Sequence, residues 1–258
     1  MSVLSYLSNK ASSAVLSGTE KISIGTSIAT LQNRLGAYFD SSAITKQYQF
    51  GSSTRGTILP RAMDEHSDVD YMIVFSDNRY KPQTYLDWLK RFVSAKYSTS
   101  DNYQSHPTVV LELNHIKFEL VPAVDSWLGG LQIPSLSGEW QSTNPNDINQ
   151  TLEDKNKANN SLIKPTIRLF KYWNARAGYP FGSFLAEKWI TGLGFWFCNN
   201  QRDYLYSVFA SLETNYGNAK WVNDEVIRAK AIIAKSKEYE EKDMPIAAES
   251  EIRKLFRE

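Results

Sequence analysis

The strand-like run Val69–Phe75 and the acids that open it constrain this chain more than any other segment. The stretch 68–75 reads DVDYMIVF, apolar and rich in β-branched and aromatic residues after its acidic start. That pattern, in so short a run, specifies a buried strand rather than a helix. Along a strand, residues two apart point to the same face. Asp68 and Asp70 therefore project side by side, while Val69 and Tyr71 point the other way. Two neighbouring carboxylates repel, and an apolar strand solvates them poorly. A divalent cation resolves the conflict, and Mg²⁺ takes carboxylate oxygens while leaving positions open for substrate phosphates. A solvated pair at a strand end has the same Asp-x-Asp pattern, so the surrounding sequence has to decide between them.

Two further features favour the metal. In the run Ile116–Val121, Ile116, Phe118 and Leu120 alternate with Lys117, Glu119 and Val121. Glu119 is thus an acid whose side chain opposes an apolar stripe. Two aspartates on one strand and a third acid on a neighbouring strand can hold two metals around a phosphoryl centre. Upstream, Gly51-Ser52 precedes Asp68 by sixteen residues, counted from Ser52. A glycine lets the backbone approach a phosphate closely, and backbone N–H groups with a hydroxyl can hold its oxygens.

The remaining chain supplies context. Apolar residues Ile28, Leu31, Leu35 and Tyr38 recur at helical spacing within Ile24–Phe39, and residues 1–40 read as helices. Thr108–Leu113 and Ile116–Val121 form an expected hairpin around Asn114-His115. The segment 126–149 is rich in Gly, Pro, Ser and Asn and is expected to be a long loop. Beyond it the pattern turns helical, with expected helices Ser161–Ala177, Ser183–Cys198, Asp203–Asn215, Asp224–Glu241 and Ala247–Phe256. The length, 258 residues, suits one large domain or two small ones packed together. The expected division is a mixed α/β catalytic core with N-terminal helices over residues 1–150 and a C-terminal helical lobe over 151–258.

Charge and cysteine content exclude several classes. Lys and Arg number 29 against 28 Asp and Glu, a net charge of +1. That argues against a blanket of positive charge for coating nucleic acid, and any anion must meet a local basic site. The single cysteine, Cys198, rules out an internal disulfide and a cysteine-rich zinc site. Following Phe195, Trp196 and Phe197, it is expected to be a core thiol. The longest apolar stretch, Ile190–Cys198, is far short of the roughly 20 residues of a membrane span. The N-terminus lacks the basic start and apolar core of a signal peptide, and a cytoplasmic home is the default expectation. His66, His106 and His115 lack a second ligand at zinc-like spacing and read as structural or surface residues.

On the expected helix Ser161–Ala177, Lys164, Arg168 and Lys171 share one face, and Ile163, Ile167 and Phe170 form the opposing apolar stripe. A solvated face accounts well for Lys164. Ser183 opens the next helix, where free N–H groups and the dipole favour an anion.

Together these segments resemble the DNA polymerase β-like nucleotidyltransferases, and more narrowly the bacterial CD-NTases, relatives of cyclic GMP-AMP synthase and oligoadenylate synthetase. The likeness covers most of the chain. FGSSTRGT (50–57) is similar to that family's Gly-Ser-x-x-Arg-Gly-Thr segment, SDVDYMIVF (67–75) to its metal strand, and FELVPA (118–123) to the strand of the third acid. RLFKYWN (168–174) and SFLAE (183–187) resemble its helical phosphate-binding half. IRKLF (252–256) resembles its usual C-terminal end, which implies a complete, compact member. One departure is the third acid, usually Asp in the family and here the longer Glu119.

The resemblance implies an α/β (α+β) fold: a polymerase β-like core with a mixed sheet, a C-terminal helical lobe and the active site between them. It implies attack of a hydroxyl on the α-phosphate of a nucleoside triphosphate, with release of pyrophosphate. Asp68 and Asp70 would hold two Mg²⁺ ions, with Mn²⁺ as a substitute. Glu119 would complete the metal site and help activate the hydroxyl. Gly51, Ser52, Lys171 and Ser183 would grip the triphosphate. The implied product is a cyclic or linear nucleotide messenger in antiphage defence, acting on a separately encoded effector protein. Nucleic acid would be a product rather than a stably bound partner, and no membrane is involved. Rival readings are a template-independent oligodeoxyadenylate polymerase of the Hailong type primed by an enzyme hydroxyl, nucleotide transfer to a protein or RNA, and a nucleotide-binding regulator with weakened catalysis.

Overall fold

The computed structural model describes residues 2–105 and 107–258, so His106 lies outside the described residues. In chain order the first elements are α1 (Val3–Ser13), α2 (Gly18–Tyr38), β1 (Ile44–Phe50), α3 (Ser52–Arg55), β2 (Asp68–Phe75), α4 (Pro82–Lys96), β3 (Asp101–Ser105), β4 (Thr108–Glu112) and β5 (Lys117–Asp125). They are followed by β6 (Leu131–Pro134), β7 (Trp140–Thr143), α5 (Asn149–Ala158), α6 (Ile163–Arg176), α7 (Ser183–Gly192), α8 (Gln201–Ala210), α9 (Lys220–Glu241) and α10 (Pro245–Arg253), and a 3-10 turn Lys254–Phe256 closes the chain. The chain divides into two compact units, one of residues 16–61 and 65–147, the other of residues 1–15, 62–64 and 148–258.

The first unit is built on one mixed sheet. Its strand order is β1-β2-β5-β4-β3, with β6 paired to the end of β5 and β7 to β6. β2 and β5 run parallel. A parallel pair needs a crossover, and α4, β3 and β4 supply it. β4 and β5 form the expected hairpin, closed where the Leu113 N–H donates to the Ile116 carbonyl.

Period-two alternation gives β2 and β5 two different faces. Val69, Tyr71, Ile73 and Phe75, with Phe118 and Leu120, join the main core with Ile24, Leu31 and Leu35 of α2 and Leu86, Leu89 and Phe92 of α4. Each such side chain, fully buried, contributes about 1.5–3 kcal/mol. On the opposite face, Met72, Val74, Val121 and Ala123 form a smaller cluster, against which Tyr48 and Phe50 pack. The acids lie on this second face, at the strand ends where the apolar cluster stops.

Helix ends follow local chemistry. Ser17 and Glu20 cap α2 reciprocally: the Glu20 N–H donates to Ser17 Oγ, and the Ser17 N–H donates to the Glu20 carboxylate. Pro82 occupies the first turn of α4, where its missing N–H costs nothing.

The second unit is helical, α5–α10 together with α1. Its centre is aromatic: Phe170 and Trp173 of α6 have ring centroids 5.1 Å apart, and Trp173 meets Phe209 of α8 edge-on at 5.0 Å. The first helix was expected within the core of residues 1–150. Instead α1 packs on α6, α8 and α10, burying Val3, Tyr6, Leu7 and Ala11.

Three other expectations change. The polar segment 126–149 is not one long loop, since it contains the β6–β7 hairpin, an extension of the sheet whose glycine turns and polar exposed residues hide its strand character. The helix expected to run to Cys198 stops at Gly192, and the residues beyond it are turns. Cys198 is therefore no core thiol: it is half-exposed, and Trp196 and Phe197 beside it are 83% and 98% exposed. Among the described residues, no helix is long and apolar enough to cross a membrane.

Candidate active site

The sheet register brings two of the expected residues, Asp70 and Glu119, level with one another and a third, Asp68, one pleat away. Asp70 pairs with Glu119 across the parallel β2–β5 contact, and Asp68 pairs with Lys117. Directly paired residues share a face, so Asp68, Asp70, Lys117 and Glu119 form a charged square at one end of the sheet. All three acids are half-buried.

Gly51 approaches this square from β1. It caps the short helix α3 with φ +74° and ψ −152°, a conformation close to the region reserved for glycine. A Cβ there would lie 1.8 Å from Asp70 Oδ2. The glycine is needed twice, once for its backbone and once for the space it leaves the carboxylate. Ser52 starts α3, half-buried, and its carbonyl accepts from the N–H groups of Thr57 and Ile58. The turn thus fixes Gly51 and Ser52 beside the acids through these backbone hydrogen bonds and through the Thr54 hydroxyl, which donates to the Gly51 carbonyl at 2.9 Å.

Charge in the square is unevenly balanced. Lys117 Nζ lies 3.2 Å from Asp68 Oδ2 and 3.6 Å from Glu119 Oε1. Burial first, and the Asp68 carboxylate next, push the Glu119 carboxyl above its usual range, against the opposing pull of Lys117. Lys117 itself is raised: burial disfavours its charge, and attraction to Asp68 and Glu119 outweighs the burial. The donor set, carboxylate oxygens on one face, is the chemistry a hard divalent ion selects. Among the described residues, however, no three His, Cys, Asp or Glu side chains are gathered around one point as metal ligands. Lys117 was not singled out in the sequence reading. Its place opposite Asp68 depends on a pairing of strands about fifty residues apart, although its alternation with Glu119 was visible.

The basic candidates lie in the helical unit. Lys171 is buried on α6 and ion-paired with Glu187 of α7, Nζ to Oε1 3.1 Å, with Glu187 fully buried. Lys164, paired with Glu153, and Arg168 are both half-buried, whereas Lys171 is buried. Burial lowers the Arg168 guanidinium below its usual value. Ser183 is the first residue of α7 and exposed, but Gly182 holds the cap position and no side chain caps this helix. Glu187 also escaped the sequence reading. The signal was an acid set between Ala186 and Ile190 on the buried side of α7, where only a paired carboxylate is tolerated.

The two described histidines, His66 and His115, make other contacts. His66 is exposed, near Glu65, and His115 Nε2 is 2.9 Å from Ser27 Oγ. Apart from all these residues, a groove of about 540 Å³ in the helical unit is lined by Trp196, Phe197, Arg202, Tyr206 and Lys237 among others.

Comparison with known proteins bears on the family and the fold. The model of the Second Messenger Oligonucleotide or Dinucleotide Synthetase domain matches residues 1–156. A cyclic AMP-AMP-AMP synthase of Acinetobacter is 33% identical over 132 residues, 50% of this chain. That stretch spans only 38% of the Acinetobacter protein. The structure of Escherichia coli CdnC with ATP superposes with a TM-score of 0.71 at 16% identity, covering 99% of each chain. Elizabethkingia meningoseptica CdnE, a cyclic dinucleotide synthase seen with GTP and Apcpp, gives 0.65 at 19% identity, covering 80% of this chain and 82% of its own. At such identities the likeness establishes the fold, the expected polymerase β-like core with a mixed sheet and helical lobe.

Proposed function

Since the chain belongs to the Second Messenger Oligonucleotide or Dinucleotide Synthetase domain family, we propose that it joins nucleoside triphosphates into a cyclic or linear oligonucleotide signal, releasing pyrophosphate. The observation that carries this reading is the level placement of Asp70 and Glu119 on adjacent strands, with Asp68 one pleat away and Gly51 against Asp70. It supports a site where carboxylates face a phosphoryl group that the backbone can approach closely. The solved neighbours holding ATP or GTP are consistent with a nucleotide at this fold.

In this reading Asp68 and Asp70 hold the divalent ions and Glu119 completes their ligands. Mg²⁺, or Mn²⁺ in its place, would supply Lewis-acid polarisation of the α-phosphate and charge neutralisation. Glu119, whose burial favours the proton, is suited to accept one from the attacking hydroxyl. The tight turn at Gly51 and Ser52 directs backbone N–H groups and the serine hydroxyl at phosphate oxygens. Lys171 is assigned to the triphosphate with Glu187 fixing its ammonium, and Ser183 with the exposed start of α7. The signal is read as part of antiphage defence in the cytoplasm, acting on a separately encoded effector.

Mass spectrometry of products from a panel of NTPs and dNTPs, with Mg²⁺ or Mn²⁺, tests the reading. Free cyclic or linear oligonucleotides support it. Label that stays on the enzyme or on an added protein or RNA would replace it with nucleotide transfer to a macromolecule.

A further inference from the structure

Lys117 is the one cation of the charged square. Its ammonium sits between Asp68 Oδ2, at 3.2 Å, and Glu119 Oε1, at 3.6 Å. Its side chain is only 12% exposed, less than either acid. The strand register places it there, directly opposite Asp68. The same face carries no gathered set of three ligands among the described residues. A lysine ammonium and a divalent ion compete for the same two carboxylates, because their mutual repulsion is strong at about 4 Å even in a screened site. Lysine, unlike arginine, carries a compact charge on a flexible four-carbon stem, so it can leave without moving the strand.

We propose that Lys117 is a resident counter-cation: its ammonium neutralises Asp68 and Glu119 in the metal-free protein, and a divalent ion that binds these carboxylates must displace it. This rests on the reading of Asp68, Asp70 and Glu119 as metal ligands. Lys117 is then a positioning residue. It keeps like charges from repelling while the site is empty of metal, and it sets the affinity for the ion by competing with it. The competition would tie loading of the site to an ion arriving with a triphosphate, whose own charge helps hold it.

The test is binding of Mn²⁺ alone to the full chain, followed by electron paramagnetic resonance of the free ion, with melting curves in chelator and in Mn²⁺. Wild type should bind Mn²⁺, and Asp68→Asn should not. Lys117→Met should bind it about tenfold or more tightly than wild type, melt at a lower temperature in chelator, and recover when Mn²⁺ is added. Lys117→Gln keeps a hydrogen-bond donor without the charge, and should show the same tightening even if the methionine variant folds poorly. Lys117→Arg keeps the charge and should bind no more tightly than wild type. If wild type binds Mn²⁺ through Asp68 but neither neutral variant binds it more tightly, the counter-cation role is overturned and the metal reading stands. If wild type shows no Asp68-dependent Mn²⁺ binding, the metal reading falls and the counter-cation role with it.

Discussion

Gly51 and Asp70 are in such close approach that an added Cβ at position 51 would sit 1.8 Å from Asp70 Oδ2 and force that carboxylate to move. The nearest obstacle is the far end of a side chain, so Asp70 can swing away more cheaply than the backbone can shift. The backbone at φ +74° adds roughly 1–3 kcal/mol of strain for any L side chain. Gly51→Ala should therefore lose modest stability and most of its activity, since the displaced carboxylate is the one assigned to metal. Calorimetry and turnover measured side by side would check this. A variant that turns over normally would mean Asp70 need not keep its position.

Breaking the buried pair of Lys171 and Glu187 should cost stability outright. Each single change removes one half of a buried ion pair, a loss of about 3–5 kcal/mol. Lys171→Met with Glu187→Leu removes both charges and should recover most of that loss. Denaturant melts give the stabilities, and titration with a non-hydrolysable triphosphate gives binding. The double variant should fold yet bind the triphosphate about ten- to a hundredfold more weakly, as expected for a lost charge-assisted contact. Wild-type affinity in the folded double variant would confine the pair to a structural role.

The Glu119 carboxyl predicts a pH signature. Burial, then Asp68, raises its folded pKa above the unfolded value. Between those two values the folded state holds more protons than the unfolded, so stability falls as pH rises through that window and stays lower above it. Glu119→Gln mimics the protonated form at every pH. In chelator it should melt higher than wild type at neutral pH, and the difference should vanish as pH falls below the ordinary carboxylate value of about 4.3. Its turnover should be severely reduced. Melting curves across pH check the sign, and a variant less stable than wild type at neutral pH would contradict the cause assigned to the shift.

Much of this was legible in the sequence because its signals are local. Alternation alone separates Asp68 and Asp70 from Val69 and Tyr71, and Glu119 from Phe118 and Leu120, and the strands follow that pattern. The turn at Asn114-His115 closes as expected. What stayed hidden depends on pairing across distance. Lys117 faces Asp68 only because β2 and β5 run parallel in one particular register, and a shift by one residue would turn it to the opposite face. Lys171 and Glu187 meet only once α6 packs on α7. The hairpin of β6 and β7 is polar and half-exposed, so it lacks the apolar alternation of a core strand. Nothing local in α1 shows which unit it joins, since its buried residues would suit either.

Pyrophosphate release shows whether Asp68 and Asp70 carry metal-dependent nucleotidyl transfer. Wild type, Asp68→Asn, Asp70→Asn and the double variant would be incubated with nucleoside triphosphates and Mg²⁺ or Mn²⁺. The metal ions are worth several kcal/mol of transition-state stabilisation, roughly a thousandfold or more in rate. Wild type should release pyrophosphate, chelator should stop it reversibly, and each aspartate variant should lose about a thousandfold or more while melting near wild type. Pyrophosphate released by the double variant at the wild-type rate would contradict the account.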